Sequence, residues 1–263
     1  MNPSAVARQA AASLSTHWKA GKHLEQLPAA LRPQSRKEGY AIQSLWSHEL
    51  GQEIAGWKIA ATSAAGQRHI GVEGPLAGPI FADKVLQDGA LISLKDNRMR
   101  VAEGEVVFVM GQTLASRPEP YTREEVLAAI QAIRPGIEVP DSRFLKFEDA
   151  GEAQLIADCA CTHQMVLGAA ATHIESLDKL ADLQVQASVS DGRQFTGSGI
   201  NVLGDPVIAL CWLVNELRAN QLTLKQGQFV TTGACVAPIP VAPGQQVSMD
   251  FGWVGRIGAG FIE

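Results

Sequence analysis

The spacing of apolar positions changes character near residue 56. Before it, the chain has the texture of helices. Ser4 to Ala20 is alanine-rich and carries no glycine or proline after Pro3, which predicts a helix. Leu27-Pro28 and Arg32-Pro33 break the next stretch. Ser35 followed by Glu38 has the spacing of a capping box and predicts a helix to about Leu50, with Tyr40, Leu45 and Trp46 on its apolar face. Gly51 and Gly56 bracket the exit. Beyond Gly56 the apolar runs become short and rich in β-branched residues, which predicts strands at 57–61, 101–111, 137–139, 183–189, 228–232 and 246–251. Two helical patterns interrupt them. Thr122 and Glu125 form a second capping-box spacing ahead of Val126, Leu127 and Ile130. Asp205-Pro206 supplies an N-cap and a first-turn proline for Val207, Leu210, Cys211, Val214 and Leu217. Asp191-Gly192 predicts a hairpin.

This pattern predicts an α+β protein, with a helical N-terminal region over 1–55 and a β-rich domain over 56–263. No internal repeat or low-complexity tract is visible. At 46% apolar and 19% charged residues, the composition is that of a globular chain able to bury a sizeable core. The net charge of −5, without a basic cluster, argues against nucleic acid. No apolar stretch reads as a membrane span or a signal peptide, so the expectation is a protein without a membrane partner. Cys159, Cys161, Cys211 and Cys235 lack zinc-site spacing and read as free, mostly buried thiols in a reducing cytoplasm.

One strand disturbs this ordinary picture. Glu103 and Glu105 head the run Val106, Val107, Phe108, Val109, Met110. Side chains alternate along a strand, so both glutamates point to one side. Two like charges on a buried strand repel and are poorly solvated. Glu138, between Ile137 and Val139 after what reads as an Arg134-Pro135-Gly136 turn, is a third carboxylate of the same kind. Solvation, or pairing with Arg or Lys, would neutralise them. Three oxygen donors would equally suit Mg²⁺ or Mn²⁺.

Lys58 is a lysine inside an apolar strand: either its ammonium snorkels to the surface, or it faces an anionic substrate or shuttles a proton. The stretch from Gly71 to Pro79 reads as a glycine- and proline-rich loop that matches no phosphate-binding pattern. Asp83 and Asp158 lie near apolar segments, where a lone acid is most often a cap or an ion-pair partner. His163 and His173 read as structural, and Gly197-Ser198-Gly199 fails the nucleophile-elbow pattern.

Several segments then fall in a telling order: Gly56 to Ser63 around Lys58, Gly71 to Pro75, Glu103-Gly104-Glu105, Ile137 to Arg143, Ala157-Asp158, Leu203 to Pro206 with Trp212-Leu213, and Thr231-Thr232-Gly233. Together they resemble the fumarylacetoacetate hydrolase superfamily, and more nearly its branch of 2-oxopent-4-enoate hydratases and 4-oxalocrotonate decarboxylases. The resemblance implies a mixed β-roll with a small helical N-terminal region, usually assembled as a homo-oligomer. It implies a metal site of Glu103, Glu105 and Glu138, with Lys58 as the active-site lysine. Ser63, Asp83, Asp158, Thr232 and Gly233 are its further candidates for contacting a small 2-oxo acid. The carboxylate and 2-oxo group of such an acid can chelate Mg²⁺, which then acts as a Lewis acid. Hydration of a 2-hydroxydienoate in aromatic-compound breakdown is the leading expectation. Decarboxylation of a vinylogous 2-oxo diacid, C–C hydrolysis of an acylpyruvate and a non-catalytic partner subunit follow in that order. Two departures stand out. Leu76 occupies the position where such hydratases carry an Asp, and Asp83 is the first place to look for a replacement. Cys159 stands where the branch has Asn.

Overall fold

The computed structural model describes residues 4–174 and 176–263. Helix α1 (Ala5–Ala20) starts where the Ser4 hydroxyl accepts the Ala7 N–H and ends at Gly21 in the left-handed conformation. The expected second helix is split into α2 (Arg36–Gln43) and α3 (Trp46–Leu50). Ser35 caps α2 through the Glu38 N–H, whereas the Glu38 carboxylate turns to Gln34 N. The elements that follow are β1 (Ile54–Ala60), α4 (Ala64–His69), β2 (Leu76–Phe81), β3 (Val85–Gln87), β4 (Leu91–Ser93), β5 (Val101–Met110), α5 (Arg123–Ala128) and β6 (Ile130–Val139). Then come α6 (Glu152–Ala157), β7 (Gln164–Leu167), the hairpin β8 (Gln184–Val189) and β9 (Gln194–Ser198), and α7 (Pro206–Ala219). Strands β10 (Phe229–Ala234), β11 (Ile239–Pro240), β12 (Gln246–Asp250) and β13 (Arg256–Ile262) complete the chain.

These strands form two mixed sheets, as a β-roll requires. The larger runs β2-β1-β10-β5-β6-β7-β3, with β11 beside β5, and the smaller runs β4-β13-β12-β8-β9. Alternation along β5 divides its side chains. Ala102, Val106, Phe108 and Met110 join the main core, while Val107 lies in a second apolar cluster with Ile80, Met165, Leu167 and Phe229. Gly104 lies so close to the smaller sheet that a Cβ there would stand 2.5 Å from Met249 Sδ. Glu103 and Glu105 share the parity of Val107, away from Met249.

Three readings of the sequence are corrected. Arg134-Pro135-Gly136 is no turn. It lies inside β6, with Pro135 opposite Val106 and Gly136 opposite Glu105. Pro135 sits one residue past the β6–β7 pairing, where its missing N–H breaks no bond of that ladder. The supposed loop to Pro79 contains β2. Pro79 is tolerated because β2 is an edge strand, and Gly78 is required because a Cβ there would stand 2.0 Å from the Cys159 carbonyl oxygen. Finally, Gly199–Ala219 does have the length and hydropathy of a membrane span, with a mean hydropathy of 1.3. Within it, Asp205 caps Val207 N, and α7 proper has only 14 residues, burying Val207, Leu210, Leu213, Val214 and Leu217. At 1.5 Å per residue α7 spans about 21 Å, short of the roughly 30 Å of a bilayer core.

Candidate metal centre and cleft

Four adjacent strands carry the site. Lys58 on β1 pairs with Thr231 on β10, and Thr231 pairs with Val107 on β5. On β5 and β6, Glu103 and Glu138 are direct cross-strand partners. Such a pairing places two side chains on one face with their Cβ atoms about 5 Å apart. Glu105 lies one pleat along, opposite Gly136, where no side chain competes for its space. Carboxylate oxygens of Glu103, Glu105 and Glu138 accordingly lie within 4.8 Å of one another.

Each charge has a distinct environment. Glu105 is fully buried, and its Oε2 accepts the Thr231 hydroxyl and, at 2.6 Å, the Gly233 N–H. Its Oε1 has no donor. Glu138 is equally buried. Its Oε1 lies 3.0 Å from Lys58 Nζ without hydrogen-bond alignment, and its Oε2 has no partner. Lys58 Nζ donates instead to the Ala160 carbonyl at 2.9 Å. Burial disfavours the ammonium, but Glu138, then Glu103, Cys161 and Glu105, overcome this and leave Lys58 above the ordinary lysine range. The acids move the other way. Burial and the Glu138 charge raise Glu103 to about 7 against the pull of Lys58, and burial raises Glu105 well above the carboxylate range.

One ammonium thus faces three carboxylates, two of which keep an oxygen without a donor. Buried polar atoms rarely go unpaired, and an all-oxygen set this compact suits a hard divalent cation. The residues present therefore fit the group that the sequence implied.

Glu103 and Lys58 open into a cleft of about 1130 Å³. Ser63, Leu76, Met99, Val101, Phe147, Leu155, Ile200 and Val236 lie among its walls. Ser63 is present there as the N-cap of α4, its Oγ accepting the Gly66 N–H at 3.0 Å. Gly233 has φ +107 and packs so tightly on Thr62 that a Cβ would stand 2.1 Å from its Oγ1, which explains the glycine beside Glu105. Thr232 is turned the other way, its hydroxyl donating to the Val106 carbonyl at 2.9 Å. Asp158 is not in the cleft lining; it is fully buried in an ion pair with Arg143. Asp83 is not there either. It lies in the turn after β2, 3.5 Å from Lys84, carried about 20 Å along the extended strand from Leu76. Sequence reasoning missed Thr231 as the hydroxyl that holds Glu105, although Thr231-Thr232-Gly233 was a visible motif. It also missed the Ala160 carbonyl, which no side-chain pattern announces.

Comparison with known proteins identifies the family of the chain. Residues 75–261 match the fumarylacetoacetate (FAA) hydrolase C-terminal family, and the chain belongs to that family. It is 30% identical over 256 residues to a 2-keto-4-pentenoate hydratase of Paraburkholderia xenovorans strain LB400, covering 95% of this chain and 92% of the relative. A 4-oxalocrotonate decarboxylase of Pseudomonas putida is 28% identical over 230 residues, covering 86% and 85%. The structure of the 4-oxalocrotonate decarboxylase from Pseudomonas putida G7, complexed with magnesium and adipate, superposes with a TM-score of 0.83 at 25% identity, covering 97% of this chain and 98% of that one. The same decarboxylase has also been solved with calcium and acetate.

Proposed function

We propose that this chain is a divalent-metal-dependent lyase that hydrates a short 2-hydroxydienoate of the kind formed in aromatic-compound breakdown. The observation that carries this reading is the convergence of three carboxylates and one lysine beneath a single cleft, with three buried carboxylate oxygens lacking a hydrogen bond. The likeness to hydratases and decarboxylases supports it. Mg²⁺ or Mn²⁺ held by Glu103, Glu105 and Glu138 would supply Lewis-acid polarisation of a 2-oxo group. Lys58, held by Ala160, presents a cation to the anionic substrate and a proton within reach of the cleft floor. Thr231 and Gly233 fix the carboxylate of Glu105 from behind. Leu76, Met99, Leu155 and Val236 keep the walls apolar. A homo-oligomer is the expected assembly, checked by sedimentation.

Incubation with Mg²⁺ and 2-hydroxypenta-2,4-dienoate tests the reading. Loss of the dienol absorbance that depends on metal is the expected result; no loss with or without metal overturns it. A second reading, decarboxylation of a 2-oxo diacid, is favoured by one observation. Leu76, where related hydratases carry an acid, is fully buried and lines the cleft. Metal-dependent release of CO₂ from 4-oxalocrotonate, without hydration of the dienol, would establish it instead.

A further inference from the structure

The carbonyl that accepts from Lys58 belongs to an unusual turn. Cys159, Ala160 and Cys161 have φ of 54, 51 and 61, three successive left-handed residues without a glycine among them. L-residues adopt this conformation singly, not in runs, so something must hold the turn. Arg143 brackets it. Its Nη2 donates to the Asp158 carbonyl at 2.9 Å, just before the turn, and its Nη1 to the Thr162 carbonyl at 3.0 Å, just after it. Its Nε donates to the Asp158 carboxylate, whose other oxygen accepts the Ser142 hydroxyl at 2.7 Å and the Arg143 N–H at 3.0 Å. Arg143 is 3% exposed and Asp158 0%. The guanidinium also stands over the Trp18 ring at 4.7 Å and the Trp46 ring at 5.6 Å, so the N-terminal helices reach the device as well. On the other side, Gly78 admits the Cys159 carbonyl at a distance no side chain would allow.

We propose that the Arg143–Asp158 pair is a positioning device for Lys58. It imposes the left-handed turn, the turn aims the Ala160 carbonyl at Nζ, and the carbonyl fixes where the ammonium stands beside Glu138. Arg143 and Asp158 touch neither substrate nor metal. This inference rests on the reading of Lys58 as an active-site group.

The test is a double-mutant cycle on the full chain, with Mg²⁺ and 2-hydroxypenta-2,4-dienoate. Arg143→Lys keeps the charge but lacks the planar fork by which three separate nitrogens meet the three acceptors. It is expected to lower kcat by roughly 10- to 100-fold, as a displaced catalytic group does, with KM and the calorimetric Mg²⁺ affinity within about twofold. In a Lys58→Met background the same change is expected to cost nothing further, because its effect passes through Lys58. A loss that multiplies with that of Lys58→Met, or an Arg143→Lys enzyme of full kcat, overturns the proposal. Should Arg143→Lys not fold, Ser142→Ala, which removes one donor to Asp158, carries the same expectation at reduced size. If Lys58→Met itself leaves kcat intact, the reading of Lys58 fails, and the proposal with it. If Lys58→Met abolishes turnover while Arg143→Lys does not change it, the positioning proposal alone fails.

Discussion

Two groups of buried charge lie either side of the Cys159–Cys161 turn, and they are built differently. Arg143 and Asp158 are one cation and one anion, and every side-chain nitrogen and oxygen of the pair has a partner. Glu103, Glu105, Glu138 and Lys58 set three carboxyl groups against one cation, and Glu105 Oε1 and Glu138 Oε2 have no donor. The first group is complete within the chain. The second is complete only with a cation added. Burial alone does not distinguish them. Satisfaction does, because an unpaired charge in a low-dielectric site is tolerated only where something else will neutralise it.

The largest expected effect probes the incomplete group. Glu105→Gln should reduce turnover by a hundredfold or more, on the order of the several kcal/mol a metal's charge stabilisation supplies. Its Mg²⁺ affinity by calorimetry should fall in parallel. In the metal-free chain the same substitution should raise the urea midpoint, since it removes the cost of burying a carboxylate, to which its charged neighbours add. Asp158→Ala should do the opposite, costing about 3–5 kcal/mol in urea denaturation because it leaves a buried guanidinium unpaired. Equal signs for the two substitutions would erase the distinction drawn between the groups.

Titration gives the next effect. The Glu103 carboxyl stands at about 7 in the folded chain against 4.5 ordinarily. Between those values the folded form holds more protons than the unfolded one, so this group makes metal-free stability fall as pH rises through that window. Thermal melts from pH 5 to 8 should show the fall, and saturating Mg²⁺ should remove it. Because the cation needs the carboxylates, Mg²⁺ affinity should weaken as pH falls through 7. Thr231→Val removes one of the two donors on Glu105 Oε2 and is expected to cost roughly 10- to 100-fold in Mg²⁺ affinity, as lost outer partners of metal ligands do. Asp83→Asn, outside both groups, should leave turnover within about twofold.

What the sequence revealed of this arrangement followed local rules. β5 was legible because its β-branched run is uninterrupted, and the pleat alone put Glu103 and Glu105 on one side. The caps Ser35, Thr122 and Asp205 marked helices that the structure contains. The errors came where a residue's meaning depends on a distant neighbour. Gly78-Pro79 looks like a loop until the Cys159 carbonyl is seen to need the space. Arg134-Pro135-Gly136 looks like a turn until β7 is seen to end beside Pro135. Nothing in Cys159-Ala160-Cys161 announces a left-handed turn, because the force that imposes it comes from Arg143. In the candidate site, the three glutamates and Lys58 stood out as charges in apolar strands, and the structure brings them together. Thr231 was hidden as one of two adjacent threonines, of which only the outcome of strand pairing picks the one facing Glu105.

The cross-strand pairing of Glu103 with Glu138 has one more consequence. The gap between these carboxylates is gauged by the spacing of neighbouring strands, a dimension that sequence change hardly alters without slipping the register of the whole sheet. The seat for an ion is therefore inherited with the backbone, whatever happens to the walls. The position of Leu76 belongs to a side chain and can be rewritten one residue at a time. A scaffold divided in this way can keep its first chemical step fixed while its descendants diverge in the product they release.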